Sequence, residues 1–349
     1  MTVERTTLAP GYDISRMIRG GWQLSGGHGA VDRDRAIEDM FAFLDRGVTT
    51  FDCADIYTGV EEMFGAFRER LRLRRGEDAA RSFKVHTKFV PDFDKLGQID
   101  RAYVTGIIDR SLLRLGVEQL DLVQFSWWTY DVPGWIETGL LLQELQQAGK
   151  IAHLAGTNFD TMRSKALLDA GIPLVAMQSQ YSLLDARPQA GLAALGQQRG
   201  MALLCYGTLA GGFLTEAWLG QPEPVEGLVN RSLIKYKLII DDFGGWELFQ
   251  SLLSTLQTIA AKHAVTIPAV ATRYMLDQPG VAAVIVGARY AAHLNDALGM
   301  FACKLDDRDR SAIGVVLTQR RGPDGDVFEL ERDRDGRHGR IMKYNLNKD

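Results

Sequence analysis

Cysteine is scarce in this chain, and the three that it has lie far apart, at Cys53, Cys205 and Cys303. Such spacing provides neither the paired cysteines of a disulfide framework nor the ligand groups of a structural zinc site. We therefore expect no metal. Cys53 follows an apolar run, where a buried cysteine acts as a small hydrophobic side chain.

Long apolar runs and an excess of positive charge are lacking too. No stretch reaches the roughly 20 apolar residues of a membrane-spanning helix, and the first 17 residues have no apolar core of a secretory signal. The net charge of −4 gives no electrostatic reason to bind nucleic acid. We expect a cytoplasmic protein with no membrane or nucleic-acid partner, either a monomer or a homo-oligomer.

What the sequence does contain is an ordinary globular composition, with 46% hydrophobic and 24% charged residues in 349. Short strand-like runs alternate with longer helix-like stretches about eight times, which predicts a parallel sheet wrapped by helices. In a chain of this length, that repeat favours an α/β fold of the closed (β/α)8 TIM-barrel type over an open sheet.

The barrel is expected to span residues 1–318 as a single domain. The Pro10-Gly11 pair predicts a turn in a small N-terminal hairpin. Residues 211–245, with their prolines and paired glycines, are interpreted as a long loop that covers a cofactor, with Arg231 or Lys235 as contacts, or as a disordered insertion. Residues 319–349 carry charge of both signs. This tail either stays solvated or folds back over the barrel mouth.

The stretch with the most chemical groups is TTFDCADIYTGVEEMFG, residues 49–65, in which a strand ends at Phe51 before Asp52 and Tyr57. Tyrosine is a weak acid with an ordinary pKa of about 10. It becomes a useful proton donor at neutral pH only if a nearby cation stabilises the phenolate. The stretch therefore predicts a proton-transfer site that needs a cation.

A closed barrel would supply that cation from another strand. In TIM barrels the chemistry lies on loops at the C-terminal ends of the strands. Lys88 is the candidate, and a solvated surface lysine is the alternative that the pattern alone leaves open. The polar residues at or just past predicted strand ends are Tyr57, Lys88, Ser126, Asn158, Gln178 and Tyr206.

From about Ile18 to Leu317, these motifs in this order resemble the aldo-keto reductase family. FDCADIYTGVEEMFG is similar to the family's signature with its aspartate and catalytic tyrosine, and HTKF places Lys88 on its lysine. The resemblance implies hydride transfer between NADP(H) and an aldehyde, ketone or alcohol. It also implies roles in catalysis: Tyr57 as general acid or base, Lys88 as its activator and Asp52 as the residue that orients the lysine.

The resemblance further implies where the cofactor binds. GTNFD and Gln178 would hold the nicotinamide carboxamide, Tyr206 would stack on the ring, and CYGTLAGGFLT would lie along the pyrophosphate. VIVGARYAAHLND is similar to the family's segment for the adenosine 2′-phosphate. There Arg289 favours NADP(H) over NAD(H), because a guanidinium matches phosphate geometry. The implied cofactor contacts are Trp22, Asp52, Thr157, Asn158, Gln178, Tyr206, Thr208, Leu209, Gly211, Gly287, Arg289, His293 and Asp296.

Two positions depart from the family. Ala297 stands where an asparagine usually closes the adenosine segment, and Ser126, in DLVQFSWW, stands where the family has a histidine. Ser126 is then a catalytic-site hydrogen bonder on the carbonyl side, acting directly or through water. His28, in the first glycine-rich loop, could substitute for the histidine. His86 points to the same side of its strand as Lys88, one layer deeper, and is expected in the core.

Three tryptophans, Trp22, Trp127 and Trp128, lie at predicted strand ends and are the candidate substrate contacts. Adjacent tryptophans cannot both face inward, so one of Trp127 and Trp128 is expected to pack elsewhere. An aromatic mouth favours a carbonyl on a ring or a bulky carbon skeleton.

Because Ser126 replaces a general acid–base group, three functions stay open. The first is a carbonyl reductase or alcohol dehydrogenase. The second is a weakly catalytic protein that binds the nicotinamide cofactor and senses its redox state. The third is an isomerase or dehydratase that uses a transient hydride transfer. In the first, the partner is a small carbonyl compound or alcohol.

Overall fold

The computed structural model describes residues 2–27, 29–228 and 230–347. Within them, eight parallel strands hydrogen-bond side by side and close into a ring. This confirms the (β/α)8 barrel. The barrel strands are β3 (Met17–Gly20), β4 (Thr50–Asp52), β5 (Lys84–Phe89), β6 (Leu120–Phe125), β7 (Ile151–Thr157), β8 (Leu174–Gln180), β9 (Ala202–Tyr206) and β10 (Val281–Gly287), preceded by the hairpin strands β1 (Arg5–Ala9) and β2 (Tyr12–Ser15).

Helices connect the strands and continue after the last of them. The α-helices are α1 (Arg33–Asp45), α2 (Val60–Arg75), α3 (Glu77–Ser82), α4 (Arg101–Leu115), α5 (Trp135–Gln147), α6 (Thr161–Asp169), α7 (Leu192–Arg199), α8 (Arg231–Phe243), α9 (Trp246–His263), α10 (Ile267–Leu276), α11 (Leu294–Leu298), α12 (Asp307–Leu317) and α13 (Glu329–Arg332). Short 3-10 helices lie at Trp22–Leu24, Phe93–Gln98, Arg187–Ala190, Ala210–Gly212, Glu216–Trp218, Ala291–His293, Gly299–Phe301 and Gly339–Ile341.

Aromatic rings between strands and helices fix the position of β4, the strand that leads to Tyr57. Phe51 stacks on Phe67 of α2 with ring centroids 6.0 Å apart. It meets Phe43 of α1 and Phe83 edge-on. Such contacts add specific geometry to the burial of apolar area. The two helices that follow β3 and β4 are thereby held against the barrel wall.

The hairpin of β1 and β2 packs against the barrel interior at the N-terminal ends of the strands, opposite the end where the strands' C-termini lie. Leu8, Tyr12 and Ile14 belong to the same apolar cluster as Ile18 and other inward-facing strand residues. His86 lies in this region, with Nε2 3.1 Å from the hydroxyl oxygen of Tyr12. Burial lowers the pKa of His86 to about 3. His86 is therefore a neutral core residue, as its depth on the strand predicts.

The segment 211–245 differs from its interpretation as a loop, because it contains the 13-residue helix α8. Asn230 caps that helix by accepting a hydrogen bond from the backbone of Ser232. Its buried face repeats at helical spacing, with Tyr236, Ile239, Ile240 and Phe243. The prolines and glycines that suggested a loop flank this helix and do not interrupt it.

Candidate active site

A cavity of about 710 Å³ opens at the C-terminal ends of the barrel strands. It gathers residues from the C-terminal ends of all eight barrel strands, from the start of α8 and from the tail. The sequence-predicted site residues in its lining are Trp22, Asp52, Tyr57, Lys88, Ser126, Trp128, Thr157, Asn158, Gln178, Tyr206, Thr208, Leu209, Gly211 and Gly287. The ring of strands thus brings together side chains that are far apart in the sequence.

The charged pair at the floor of the cavity joins β4 to β5. The ammonium of Lys88 donates hydrogen bonds to Oδ1 of Asp52 at 2.6 Å and to the carbonyl of Cys53 at 2.7 Å. Lys88 is 5% exposed and Asp52 4%, so little water screens their attraction. Burial alone would lower the pKa of Lys88, but Asp52 outweighs it and the pKa is raised. Lys88 is therefore charged at neutral pH.

Tyr57 lies beside this pair, on the loop between β4 and α2. Its ring centroid is 5.0 Å from Nζ of Lys88 and 5.0 Å from the ring centroid of Trp22. Burial raises the pKa of Tyr57, Lys88 lowers it, and the net shift is upward. The cation predicted from the sequence is present, but it offsets desolvation only in part. The phenol is therefore protonated at neutral pH.

The second oxygen of Asp52 is bound by two amides. Gln124 on β6 donates to Oδ2 at 2.8 Å, and Gln178 on β8 donates to the same oxygen at 2.7 Å. Gln124 is a site residue that the sequence interpretation missed. It lies two positions before Ser126 and so on the same side of the chain, which was the available signal. The nitrogen of Gln178, expected at the cofactor carboxamide, is committed to Asp52 instead.

The two tryptophans after β6 face different surroundings. Trp128 lines the cavity, donates a hydrogen bond of 2.7 Å to the carbonyl of Pro91 and packs on Tyr344 with centroids 4.9 Å apart. Trp127 lies outside the cavity lining, is 1% exposed and donates a hydrogen bond to the carbonyl of Val132. Trp127 is thus the packing member of the pair. The prediction that it contacts substrate is not supported by its position.

Asn158 and Tyr206 form a joined pair on the opposite side of the cavity. The Tyr206 hydroxyl donates to Oδ1 of Asn158 at 2.9 Å. Asn158 has a φ of 61°, in the left-handed region that non-glycine residues seldom occupy. Its backbone nitrogen donates to the carbonyl of Gln178 at 2.9 Å. The amide of Asn158 is therefore held in one orientation at the cavity wall.

A third part of the lining has the groups of an anion site. Oγ1 of Thr208 is buried, with no hydrogen-bond partner found for it in the described chain. Residues 230–232 at the start of α8 and the side chain of Lys235 line the cavity nearby. A Cβ at Gly211 would come within 2.8 Å of the Tyr236 ring, so glycine is required for the loop to approach α8 this closely. A helix N-terminus attracts anions.

The residues expected at the adenosine phosphate lie outside the cavity lining. A guanidinium nitrogen of Arg289 would be 3.1 Å from a Cβ built on Gly29. His293 is 90% exposed and lies 3.7 Å from the carboxylate of Asp296. His28, the proposed substitute for the family's histidine, lies outside the described residues.

The tail supplies one wall of the site. Phe328, Ile341, Met342, Lys343 and Leu346 line the cavity. Glu331 accepts two hydrogen bonds from Arg187, at 2.9 and 3.1 Å, and lies 3.7 Å from the ammonium of Lys235. Burial would raise the pKa of Glu331, but Lys235 and Arg187 lower it to about 2.

The chain is similar in sequence to known proteins over most of its length. Residues 16–316 match the model of the Aldo/keto reductase family. "Aldo-keto reductase YhdN" of Bacillus subtilis is 27% identical over 337 residues, which span 90% of this chain and 94% of that protein. The "NADH-specific methylglyoxal reductase" of Escherichia coli is 24% identical over 313 residues, spanning 85% and 92%.

A solved structure resembles the fold as a whole. The glycerol dehydrogenase of Gluconobacter oxydans superposes with a TM-score of 0.73 at 24% identity, covering 93% of this chain and 97% of its own. At that identity the likeness concerns the fold. In the residues that the structure describes, no helix combines the length and apolar character needed to cross a membrane.

Proposed function

The chain belongs to the aldo/keto reductase family, and from that premise we propose that it transfers a hydride reversibly between NADP(H) and an aldehyde, ketone or alcohol. The observation that carries the proposal is the buried Lys88–Asp52 pair, 2.6 Å between Nζ and Oδ1, beside the phenol of Tyr57. We expect the activity in the cytoplasm.

The residues of the cavity fit a nicotinamide dinucleotide. Its volume falls within the roughly 300–1,000 Å³ of small-molecule sites. Asn158, Tyr206 and the remaining face of Gln178 would hold the nicotinamide end. The buried hydroxyl of Thr208, with Lys235 and the N-terminus of α8, would hold the pyrophosphate. When bound there, a reduced nicotinamide would supply the hydride that a carbonyl carbon accepts.

Tyr57 supplies the proton in this proposal. Its phenol is protonated at neutral pH, so it donates the O–H proton to the carbonyl oxygen as negative charge develops there. Lys88 stabilises the phenolate that remains. Asp52 holds Lys88 in place, and the amides of Gln124 and Gln178 hold Asp52 in turn. In the oxidation direction the phenolate of Tyr57 accepts the proton of the alcohol, and Lys88 and Asp52 keep the same roles.

Ser126 favours a second candidate, a protein that binds the cofactor, turns over slowly and reports its redox state. Ser126 lines the cavity. Its side chain is shorter than that of histidine, so its hydroxyl extends less far towards a substrate oxygen than an imidazole would. General acid–base groups contribute roughly 10²–10⁴-fold each. Without the family's histidine, Tyr57 alone sustains a slower reaction.

The substrate in this proposal carries its carbonyl on a ring or another bulky apolar group. The lining near Tyr57 is largely apolar and aromatic, with contributions from the barrel and from the tail. Its members are Trp22, Ile56, Val90, Trp128, Met342 and Leu346. A substrate bound against such side chains gains more binding free energy from burying apolar area than from charged groups.

The test is consumption of NADPH, and of NADH in parallel, with a panel of aldehydes and ketones. We expect oxidation of NADPH by wild type and a loss of at least 100-fold in Tyr57→Phe. Tyr274→Phe, the same change on α10 outside the cavity, should behave as wild type. Equal inertness of wild type and Tyr57→Phe, with cofactor still bound, would favour the redox sensor. Conversion of substrate without net change in cofactor would indicate an isomerase or dehydratase.

A further inference from the structure

Two neighbouring residues of α13 carry opposite charges to opposite sides of the cavity mouth. Glu331 points to Arg187 and Lys235, on the side where α8 begins. Arg332 points to the loops that follow β6 and β7. A helix of four residues in the tail therefore spans both halves of the candidate cofactor site.

Arg332 binds the backbone on the side of Asn158. Its Nη2 donates to the carbonyl of Asn158 at 2.6 Å and to the carbonyl of Trp127 at 3.2 Å. Its guanidinium carbon lies 4.2 Å from the ring centroid of Tyr130. The planar guanidinium of Arg332 thus ties the tail to the chain just after two barrel strands, β6 and β7. Asn158, which follows β7, lies 174 positions before Arg332 in the sequence.

The residue that Arg332 holds is itself strained. Asn158 lies in the left-handed region, which is uncommon for residues with a Cβ and is tolerated best by asparagine and aspartate. Such strain persists only where surrounding contacts impose it, and it concentrates at functional sites. Asn158 is fixed at three points: its nitrogen on Gln178, its side chain on Tyr206 and its carbonyl on Arg332. Removing the third leaves the conformation free to relax.

The buried guanidinium of Arg332 is not needed if the tail does no more than cover the barrel. Burial lowers the pKa of Arg332 and so disfavours its charge. Its Nε is buried and finds no partner in the described part of the chain. A polar group buried in this way costs stability, so apolar packing would anchor the tail at lower cost. What the arginine adds is a set of directional hydrogen bonds. The one to Asn158, at 2.6 Å, is shorter than those to Trp127, Val327 and Phe328, at 3.2 to 3.4 Å.

We infer that Arg332 is a positioning residue for the nicotinamide half of the cofactor and acts through Asn158. This rests on the proposed function, because Asn158 would hold the nicotinamide carboxamide. The tail then belongs to the cofactor site as well as to the wall that faces the substrate.

The test compares whole and partial ligands on Arg332→Met. Dissociation constants are measured by tryptophan quenching for NADPH and for adenosine 2′,5′-bisphosphate, which has no nicotinamide, with NADH and AMP in parallel. We expect NADPH affinity and kcat to fall roughly 10-fold or more, because a hydrogen bond from a charged donor is lost. Affinity for the adenosine fragment should stay within about threefold of wild type, within the context dependence of one contact.

A matched control and a second variant separate positioning from folding. Arg334→Met removes a guanidinium that stacks on Phe93 and Tyr344 and should change neither affinity. In an Asn158→Gly background, which relieves the strain, Arg332→Met should have a smaller effect on kcat than it has alone. A merely structural arginine would give equal effects in both backgrounds.

The remaining outcomes overturn one claim or both. If Arg332→Met weakens binding of the adenosine fragment as much as it weakens binding of NADPH, the arginine supports the fold and the inference is wrong. If neither affinity nor kcat changes, the inference is wrong while the proposed function stands. If wild type binds no nicotinamide nucleotide at all, the proposed function and the inference fail together.

Discussion

The side-chain amide of Gln178 donates a 2.7 Å hydrogen bond to Oδ2 of Asp52, the carboxylate oxygen that Lys88 does not use. Gln124 binds the same oxygen from another strand at 2.8 Å. The carboxylate that orients the lysine is therefore held from both sides. Of the two amides, only Gln178 lines the cavity.

This pair allows a matched test of what each glutamine does. We expect Gln124→Leu and Gln178→Leu each to lower kcat roughly tenfold, because each removes a hydrogen bond to a charged group. Only Gln178→Leu should also weaken cofactor binding, measured by fluorescence titration. If both variants bind the cofactor as wild type does, Gln178 acts through Asp52 alone.

The raised pKa of Tyr57 predicts opposite pH profiles for the two directions. Reduction needs the protonated phenol, so its rate should stay flat through neutral pH and fall only above the ordinary value of about 10. Oxidation needs the phenolate, so its rate should rise continuously from pH 6 to pH 10. Steady-state kcat in both directions measures this. A reduction rate that declines between pH 6 and 8 would mean that another group donates the proton.

Ser126→His tests the missing histidine. We expect kcat for aldehyde reduction to rise at least tenfold with cofactor affinity unchanged, because an imidazole restores a second acid–base group next to Tyr57. Ser126→Ala is the control and should alter kcat by less than the gain from histidine. A histidine variant slower than wild type would show that the serine itself serves the reaction.

Arg289→Gln tests the choice between the two dinucleotides. If Arg289 binds a 2′-phosphate, its loss should lower the affinity for NADPH roughly tenfold or more and leave the affinity for NADH nearly unchanged. Dissociation constants for both cofactors give the answer, with Arg308→Gln, at an exposed position of α12, as the control. Equal weakening of both cofactors would remove Arg289 as the discriminating residue.

Glu331 predicts a loss of stability in acid. Its folded pKa of about 2 lies below its ordinary value of 4.5, so its stabilising contribution is complete above about pH 4.5 and declines as the pH falls towards 2. At 1.36 kcal/mol per pKa unit, that contribution is roughly 3 kcal/mol. The free energy of unfolding in urea should therefore differ between wild type and Glu331→Gln by less at pH 3 than at pH 6. Asp45→Asn, at an exposed salt bridge, is the control.

The sequence predicts the barrel because each strand and helix carries its own periodicity, and it predicts the strand-end residues because parallel strands end at one rim. It does not predict α8, although the helical spacing of Tyr236, Ile239 and Phe243 is present, because the flanking prolines and glycines dominate the composition. The net pKa of Tyr57 depends on burial, which only packing determines.

The contacts of the tail, residues 319–349, could not be predicted from its composition. Glu331 and Arg332 have the charges of a solvated segment, and nothing local indicates that their partners are residues 144 and 174 positions earlier. Long-range ion pairs and hydrogen bonds of this kind leave no periodic signal in one sequence. The apolar pair Val327-Phe328 and the stretch from Met342 to Leu346 are the local features of the sequence that are consistent with a buried side of this segment.

The pairing of β10 with β3 has a consequence for how the protein is made. Residues 17–20 cannot meet their neighbours at 284–287 until the ribosome has delivered most of the chain, so the ring stays open during most of translation. The segment that binds Asn158 emerges later still. A nascent chain arrested between these two events would contain the closed ring but would lack the wall of the candidate site that the tail supplies.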